Sequence, residues 1–245
     1  MNFYFRAWMR TLMTWVGIAG IIYGGSLLYT GAVSAYWLIG TFITYQICMF
    51  TLSVGNHRLF SHRAFKTNKF WQWFFSIWGT GFGNGSSYMW VFIHLGHHLY
   101  SDTERDPHET TFKYFFRLKH KQITYTLPKV KWLLREANHY YTHKYAVLFV
   151  LMFPILASLV SFNFFLFCYL IPMAWHQITG GLFYIYSHNK SGALNRFWIG
   201  IPFPFAGEWL HKSHHEAGKG RMLNNATEPG QFDIGYWFAR LIATK

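Results

Sequence analysis

Charge is scarce in this 245-residue chain, and acidic charge scarcest: nine Asp and Glu against 22 Lys and Arg leave charged residues at 13% of the total. A soluble protein of this size carries about a quarter. Two stretches hold no charge, from Thr11 to Val54 and from Tyr145 to His188. Each is long enough for two membrane crossings at roughly 20 apolar residues per helix. Cysteine is nearly absent as well. Cys48 and Cys168 both fall inside apolar runs, which excludes a disulfide framework and a thiolate metal site and makes them packing residues. The chain also lacks a Gly-x-Gly-x-x-Gly fingerprint, a haem-binding module, a low-complexity tract and any linker that would divide it.

What fills the space is apolar: 52% hydrophobic residues, with aromatics at 22%. The expected architecture is all-α, a single membrane domain over residues 1–245 with four transmembrane helices in two hairpins. The spans are about 11–30, 35–54, 145–161 and 162–186, and a cytosolic helical cap comprises about 55–144 and 187–245. Residues 11–30, followed by Gly31-Ala-Val-Ser-Ala35, look like a signal peptide, but the run exceeds the usual apolar region of about 7–15 residues and reads as a retained helix. Phe70–Ile93 is aromatic and uncharged, yet glycines at 79, 81, 83 and 85 cut it short, so it reads as a buried or interfacial helix rather than a crossing. Pro172 predicts a kink in the last span.

The net charge of +13 would suit a nucleic-acid partner. The basic residues flank apolar spans instead, and the positive-inside rule accounts for them without nucleic acid. Two Lys and Arg lie in residues 1–10, 13 in 55–144 and seven in 187–245, all on one side of the four-span arrangement. That places both termini, the cap and every histidine cluster in the cytoplasm, in a multi-pass integral membrane protein.

Histidine is the abundant polar residue, and it is patterned. His94-Leu-Gly-His-His98 opens a sixteen-residue run with a fourth histidine, His108, and the acids Asp102, Glu104, Asp106 and Glu109. Positions i, i+3 and i+4 share a helix face, so His94, His97 and His98 can point at a common object. The spacing recurs as His211-Lys-Ser-His214-His215, and His57 and His62 form a third pair. At i, i+5 that pair is about 140° apart on an ideal helix. It either serves two separate metal ions or the helix unwinds after Gly55. Adjacent histidines in the other clusters can likewise divide between two ions. Eight imidazoles exceed the four ligands of a structural zinc and suit two ions, although imidazole binds iron, zinc, copper and nickel alike. Asp102, Asp106, Glu208 and Glu216, together with Glu104, flank the clusters where they can orient ring nitrogens. His120, His139 and His143 share with His108 the absence of any partner pattern and read as ordinary polar residues. His176 lies within an apolar span, where a hydrogen bond in a kinked helix is its expected role.

These segments resemble the membrane fatty-acyl desaturases of the Δ9 type, the stearoyl-CoA and acyl-lipid enzymes. The resemblance is carried by Gly55-Asn-His-Arg-Leu-Phe-Ser-His-Arg-Ala-Phe65, by Trp90 through His98 with Tyr100-Ser-Asp-Thr-Glu-Arg-Asp-Pro-His108, by Gly207-Glu-Trp-Leu-His-Lys-Ser-His-His215 and by Gln231 through Leu241. It implies two iron ions held by His57, His62, His94, His97, His98, His211, His214 and His215. A ninth ligand is implied at His188, 23 residues before His211. It further implies O2 as co-substrate and insertion of a cis double bond into a long acyl chain carried on CoA, acyl carrier protein or a lipid. Where the family usually has an asparagine four residues before the ninth histidine, this chain has Tyr184. With no redox module in the chain, the electrons would come from a separate ferredoxin or cytochrome b5 type protein, for which a basic face suits an acidic partner. The aromatic stretch Phe70–Ile93 is expected either to line the acyl cavity or to supply core packing through its Trp and Phe residues. Competing readings are a hydroxylase or ketolase on the same histidines and, in another class, a non-catalytic metal-binding or transport protein. The latter predicts intramembrane polar residues, which the first two spans almost lack.

Overall fold

A computed structural model describes residues 3–108, 111–116, 130–189, 192–195, 206–216 and 223–244, and these are mostly helical. Glu109 and His120 lie outside them. Helix α1 (Phe3–Tyr29) and helix α2 (Trp37–Phe50) form the first hairpin, and α2 runs on without a break as a π-helix over Thr51–Ser61. Two helices, Thr11–Tyr29 and the rod Trp37–Ser61, are long and apolar enough to cross a membrane. Helix α5 (Ala137–Lys144) and helix α6 (Ala146–Val160) would supply a third crossing if taken as one span, although they meet at a 78° bend. Alone, α6 has 15 residues, about 22 Å at 1.5 Å per residue, which is short of a hydrocarbon core of about 30 Å. The return helix is continuous through α7 (Phe162–Phe165), a π-helical stretch Leu166–Leu170 and α8 (Ile171–Ser187). Pro172 lies inside this continuous helix, just after the π stretch.

The outward faces explain the low charge. Ile22, Ile39, Leu148, Ile155 and Leu159 are all more than half exposed, Leu159 to 77%. A continuous apolar surface of this kind marks a lipid-facing protein. Between the hairpins the packing is close. A Cβ at Gly17 of α1 would overlap the Ala174 side chain of α8, so these helices approach nearly backbone to backbone. Gly17→Val is expected to cost about 1–3 kcal/mol by overpacking. Thermal unfolding in detergent reads that loss, and an unchanged melting temperature would contradict the close approach.

The aromatic stretch after the first hairpin folds as two short helices, α3 (Lys69–Gly81) and α4 (Ser87–Tyr100). At 13 and 14 residues they reach only about 20 Å each, too short to span. Gly83 and Gly85 make the turn between them with φ of +83° and +75°, which other residues adopt only with strain. The Ser86 side chain caps α4 by accepting from the Met89 N–H at 3.4 Å. His139 and His143 of α5 meet the hydroxyls of Ser87 and Ser86 at 2.6 and 2.9 Å, so both are structural polar residues that pin the start of α4. Both cysteines are free. A two-residue hairpin, β1 (His188–Asn189) against β2 (Gly192–Ala193), follows α8. Helix α9 (His211–Glu216) and helix α10 (Ile234–Ile242) complete the described chain.

Candidate metal centre

Each histidine cluster owes its direction to its own backbone. The π-helix closes i→i+5 bonds, and one of them joins His62 N–H to the His57 carbonyl at 3.0 Å. The wider turn therefore brings residues five apart onto one side, and the two rings stand 4.8 Å apart between centroids. His57 and His62 consequently face one group. Of the two alternatives at this pair, separate ions do not fit, and the helix widens rather than unwinding. On α4 and α9 the adjacent histidines divide. His94 and His98 of α4 join His57, His62 and His214 in one set of five nitrogens, while His97 joins His188, His211 and His215 in a set of four. The two helices thus exchange partners: each keeps its i, i+4 pair together and sends its remaining histidine to the other group. Within each group the ligand atoms lie within 4.8 Å of one another. His188 reaches the second group because α8 ends at Ser187 and the β1–β2 hairpin turns its side chain inward.

Three carboxylates orient these rings. Glu208 accepts from His57 Nδ1 at 2.8 Å, Asp106 from His97 Nδ1 at 2.9 Å, and Asp102 from His188 Nδ1 at 3.0 Å. A carboxylate can only accept, so each ring carries its proton on Nδ1 and turns an Nε2 lone pair toward the group. Asp102 holds φ +62° directly after α4, a left-handed conformation that aspartate tolerates. Its N–H donates to Asp106 at 3.1 Å, which folds the two acids back over the histidines. The fourth flanking acid behaves differently. The Glu216 side chain is 66% exposed and lies 3.7 Å from Lys212, one turn earlier on α9, so it serves the helix surface and not a ring.

The electrostatics ask for a cation. His57 Nε2 stands 2.9 Å from His214 Nε2, His62 Nε2 2.8 Å from His94 Nε2, and His188 Nε2 2.7 Å from His211 Nε2. At these distances a pair can share one ring's N–H, whereas a cation would serve all the nitrogens of a group at once. Protons are unfavoured there: burial, and then the neighbouring rings, hold His94, His211 and His214 well below the usual imidazole value and push His215 down to about 2. Among the described residues, His97 Nε2 is buried with no hydrogen-bond partner. Neutral imidazoles with carboxylates behind them fit a transition-metal dication in each group. Burial opposes ionisation of Glu208, but His57, Arg58 and Ser53 outweigh it and hold the carboxyl below its ordinary value.

No family model matches this chain. Individual relatives do. Over 79 residues it is 37% identical to the sn-1 stearoyl-lipid 9-desaturase of Anabaena variabilis, covering 32% of this chain and 26% of that protein. Over 113 residues it is 32% identical to acyl-CoA 5-desaturase AL21 of Anemone leveillei, covering 46% and 33%. The longest of these matches, to stearoyl-CoA desaturase 4 of Mus musculus, is 27% identical over 224 residues and covers 80% of this chain and 62% of the relative. The chain is thus similar to stearoyl-lipid and acyl-CoA desaturases at 27–37% identity. It spans between about a quarter and three fifths of the length of these relatives.

A narrow apolar cavity lies beside the histidine groups, lined by Met49, Leu52, Trp90, Gly180, Phe183 and Tyr184 together with His57, His94, His97 and His211. Trp90 stacks on His94 at 4.6 Å. Of the stretch 70–93, Trp90 is the residue that reaches this cavity. Trp78 and Phe82 stack at 5.3 Å and pack against Phe153, and Trp71, Phe74 and Phe75 line a separate groove with α2 and α10. Most of that stretch packs in the core instead, with Trp78 and Phe82 joining Phe153 and Met173 of α8. The cavity is built chiefly from α8, α4 and the π-helix that continues α2. His176, also on its wall, donates from Nε2 to the Asn84 side-chain oxygen at 2.7 Å and so ties α8 to the α3–α4 turn rather than bonding within its own helix. Tyr184 stacks on His108 at 4.1 Å, and His108 in turn stands 4.6 Å from His97.

Two further residues support the site from outside the histidine pattern. Asn195 accepts from Lys212 N–H at 2.9 Å and Ser213 N–H at 3.3 Å, capping α9 from the β2 side. Arg58 is 1% exposed and paired with Asp233 at 2.8 Å. One clue to Arg58 was available: it is the first charge after the uncharged run that begins at Thr11.

Proposed function

We propose that this protein is an oxygen-dependent fatty-acyl desaturase that inserts a cis double bond at the Δ9 position of a long-chain acyl substrate. The observation that carries the reading is the pair of histidine groups, five and four nitrogens, set against a narrow apolar cavity. In this reading nine histidines hold two iron ions, with Glu208, Asp106 and Asp102 fixing His57, His97 and His188. Bound iron supplies, with O2, the oxidising power needed to remove hydrogen from an unactivated methylene. The chain's own residues do the rest. Met49, Leu52 and Phe183 give an acyl chain an apolar wall that excludes water, and Trp90 and Tyr184 limit its path beside the histidines. The three carboxylates hold protons at Nδ1 so that Nε2 stays free to ligate.

The acyl carrier is CoA, acyl carrier protein or a lipid headgroup, and the electron donor a ferredoxin or cytochrome b5 type protein drawn to the +13 chain by charge. We place the single domain 1–245 in the membrane by four spans, with the termini and the histidines cytoplasmic. The 26-residue helix from Phe162 to Ser187 supports the fourth span, and the arrival of His57 and His188 at the ends of the two return helices supports one common side.

The test is expression in a host lacking its own desaturase, with a competent electron donor and fatty-acid profiling. A new monounsaturated acid is expected, absent with His211→Ala, and its double-bond position reads Δ9 directly. Labelled O2 separates the hydroxylase or ketolase reading, which would leave label in the lipid. No new unsaturated acid from verified protein would sink the assignment.

A further inference from the structure

The guanidinium of Arg58 lies in the interior directly beside a histidine group. A buried charge there is costly unless its donors are met; both Nη nitrogens are, while Nε has no partner among the described residues. Arg58 Nη2 donates to Asp233 at 2.8 Å, and Nη1 donates to the Ser53 hydroxyl at 2.5 Å and to the Ala206 carbonyl at 3.2 Å. Ser53 donates in turn to Glu208 at 2.5 Å, and Glu208 holds His57 Nδ1. Arg58 itself stands 3.7 Å from the same carboxylate. A continuous relay therefore runs from Asp233 through Arg58, Ser53 and Glu208 to His57, all of it buried.

The surroundings are shaped to that relay. Ala206 and Gly207 hold consecutive left-handed conformations, φ +45° and +86°, which aim the Ala206 carbonyl at Arg58 and Ser53. A Cβ at Gly235 would run into Arg58 Nη1, and one at Gly207 into Asp233. Asp233 is also the cap of α10, accepting from Tyr236 N–H at 3.0 Å, and it accepts from Asn225 N–H at 2.9 Å. The second group has no counterpart. Among the described residues, the ion pairs of Asp106 and Asp102 are with His97 and His188 themselves, and their other partners are backbone N–H groups and the Ser101 hydroxyl.

We propose that Arg58 is a positioning residue for the five-histidine group. Through Ser53 and Glu208 it fixes the His57 ring, and through Asp233 it makes the geometry of that group depend on the C-terminal helix. Among the described residues the two groups are thereby unequal: one is backed by a carboxylate with its own cation, the other by carboxylates without one. The inference rests on reading both groups as metal sites.

The test is a Co(II) titration of the full-length, metal-stripped protein in detergent, followed by visible absorption of the bound ion. Wild type is expected to take two equivalents. Arg58→Lys and Asp233→Asn should weaken one equivalent by about 10–100-fold, the range for partners behind a ligand, and leave the other unchanged. Ser53→Ala, which keeps the buried ion pair, should act on the same equivalent and decides the matter if the charge variants do not fold. Asp106→Asn should weaken the other equivalent. Unchanged binding in folded variants, or equal weakening of both equivalents, overturns the proposal. A wild-type protein that binds no Co(II) overturns instead the reading of the groups as metal sites.

Discussion

Alanine at His97 and alanine at His98 are each expected to lower product formation by more than about 100-fold, beyond the loss typical of residues that only support a ligand. The informative part is the metal count, because these neighbours serve different groups: His98 stands with His57, His62, His94 and His214, His97 with His188, His211 and His215. Each substitution should therefore deplete a different equivalent. The same split is expected at His214 and His215, in the reverse sense. Metal analysis of the purified variants, with a titration resolving the two equivalents, checks it. If both members of an adjacent pair deplete the same equivalent, the exchange between α4 and α9 is wrong. Full activity in either variant would remove that residue from the site.

Acid is expected to unfold the metal-stripped protein well above the pH at which most proteins fail. An exposed imidazole titrates near 6.5. In the folded chain burial and neighbouring rings hold His94, His211 and His214 well below that, with His215 near 2, and burial holds His139 near 4. Above pH 6.5 neither state binds the protons and stability is complete. Below it the unfolded chain takes up protons that the folded chain refuses. Each such histidine then removes about 1.4 kcal/mol per pH unit until its folded value is passed. For His139 the window runs from about 6.5 to about 4. Several acting together exhaust a total stability of about 5–15 kcal/mol within one to two pH units. Melting temperature in detergent should be flat from pH 7 to 8.5 and fall steeply from 6.5 to 5. Bound metal should displace the fall toward lower pH, because it competes for the same lone pairs. A flat profile down to pH 5 would show that these rings are solvated, contrary to their burial.

The histidine spacing identified the ligand candidates without any coordinates, because ligation needs particular side chains and these occur in repeated, compact patterns. Their grouping was not legible. His94, His97 and His98 share a helix face, and nothing local says that the middle one serves a different partner; that follows from where α9 lies, 113 residues further on from His98. The His57/His62 pair was ambiguous for a related reason. An ideal helix separates residues five apart, and the π turn that unites them is stabilised by tertiary contacts of Gly55 against Phe75 and Arg58 against Asp233. The support around the site was the least legible part. Arg58 read as one of 22 basic residues, and its burial becomes affordable only once Asp233, 175 positions away, folds beside it. Glu216 and the aromatic stretch 70–93 apart from Trp90 show the converse, since residues of suitable type were placed elsewhere by packing.

Composition and hydrophobic patterning by themselves determined a helical, membrane-compatible chain with a histidine-rich polar end, because burial in lipid is an additive property of residues along the sequence. The tertiary structure alone decided which nitrogens converge, which carboxylates hold them and which aromatic residues wall the cavity. Those are distances between segments far apart in the chain, and at a few ångströms they depend on how whole helices pack rather than on what any one segment contains.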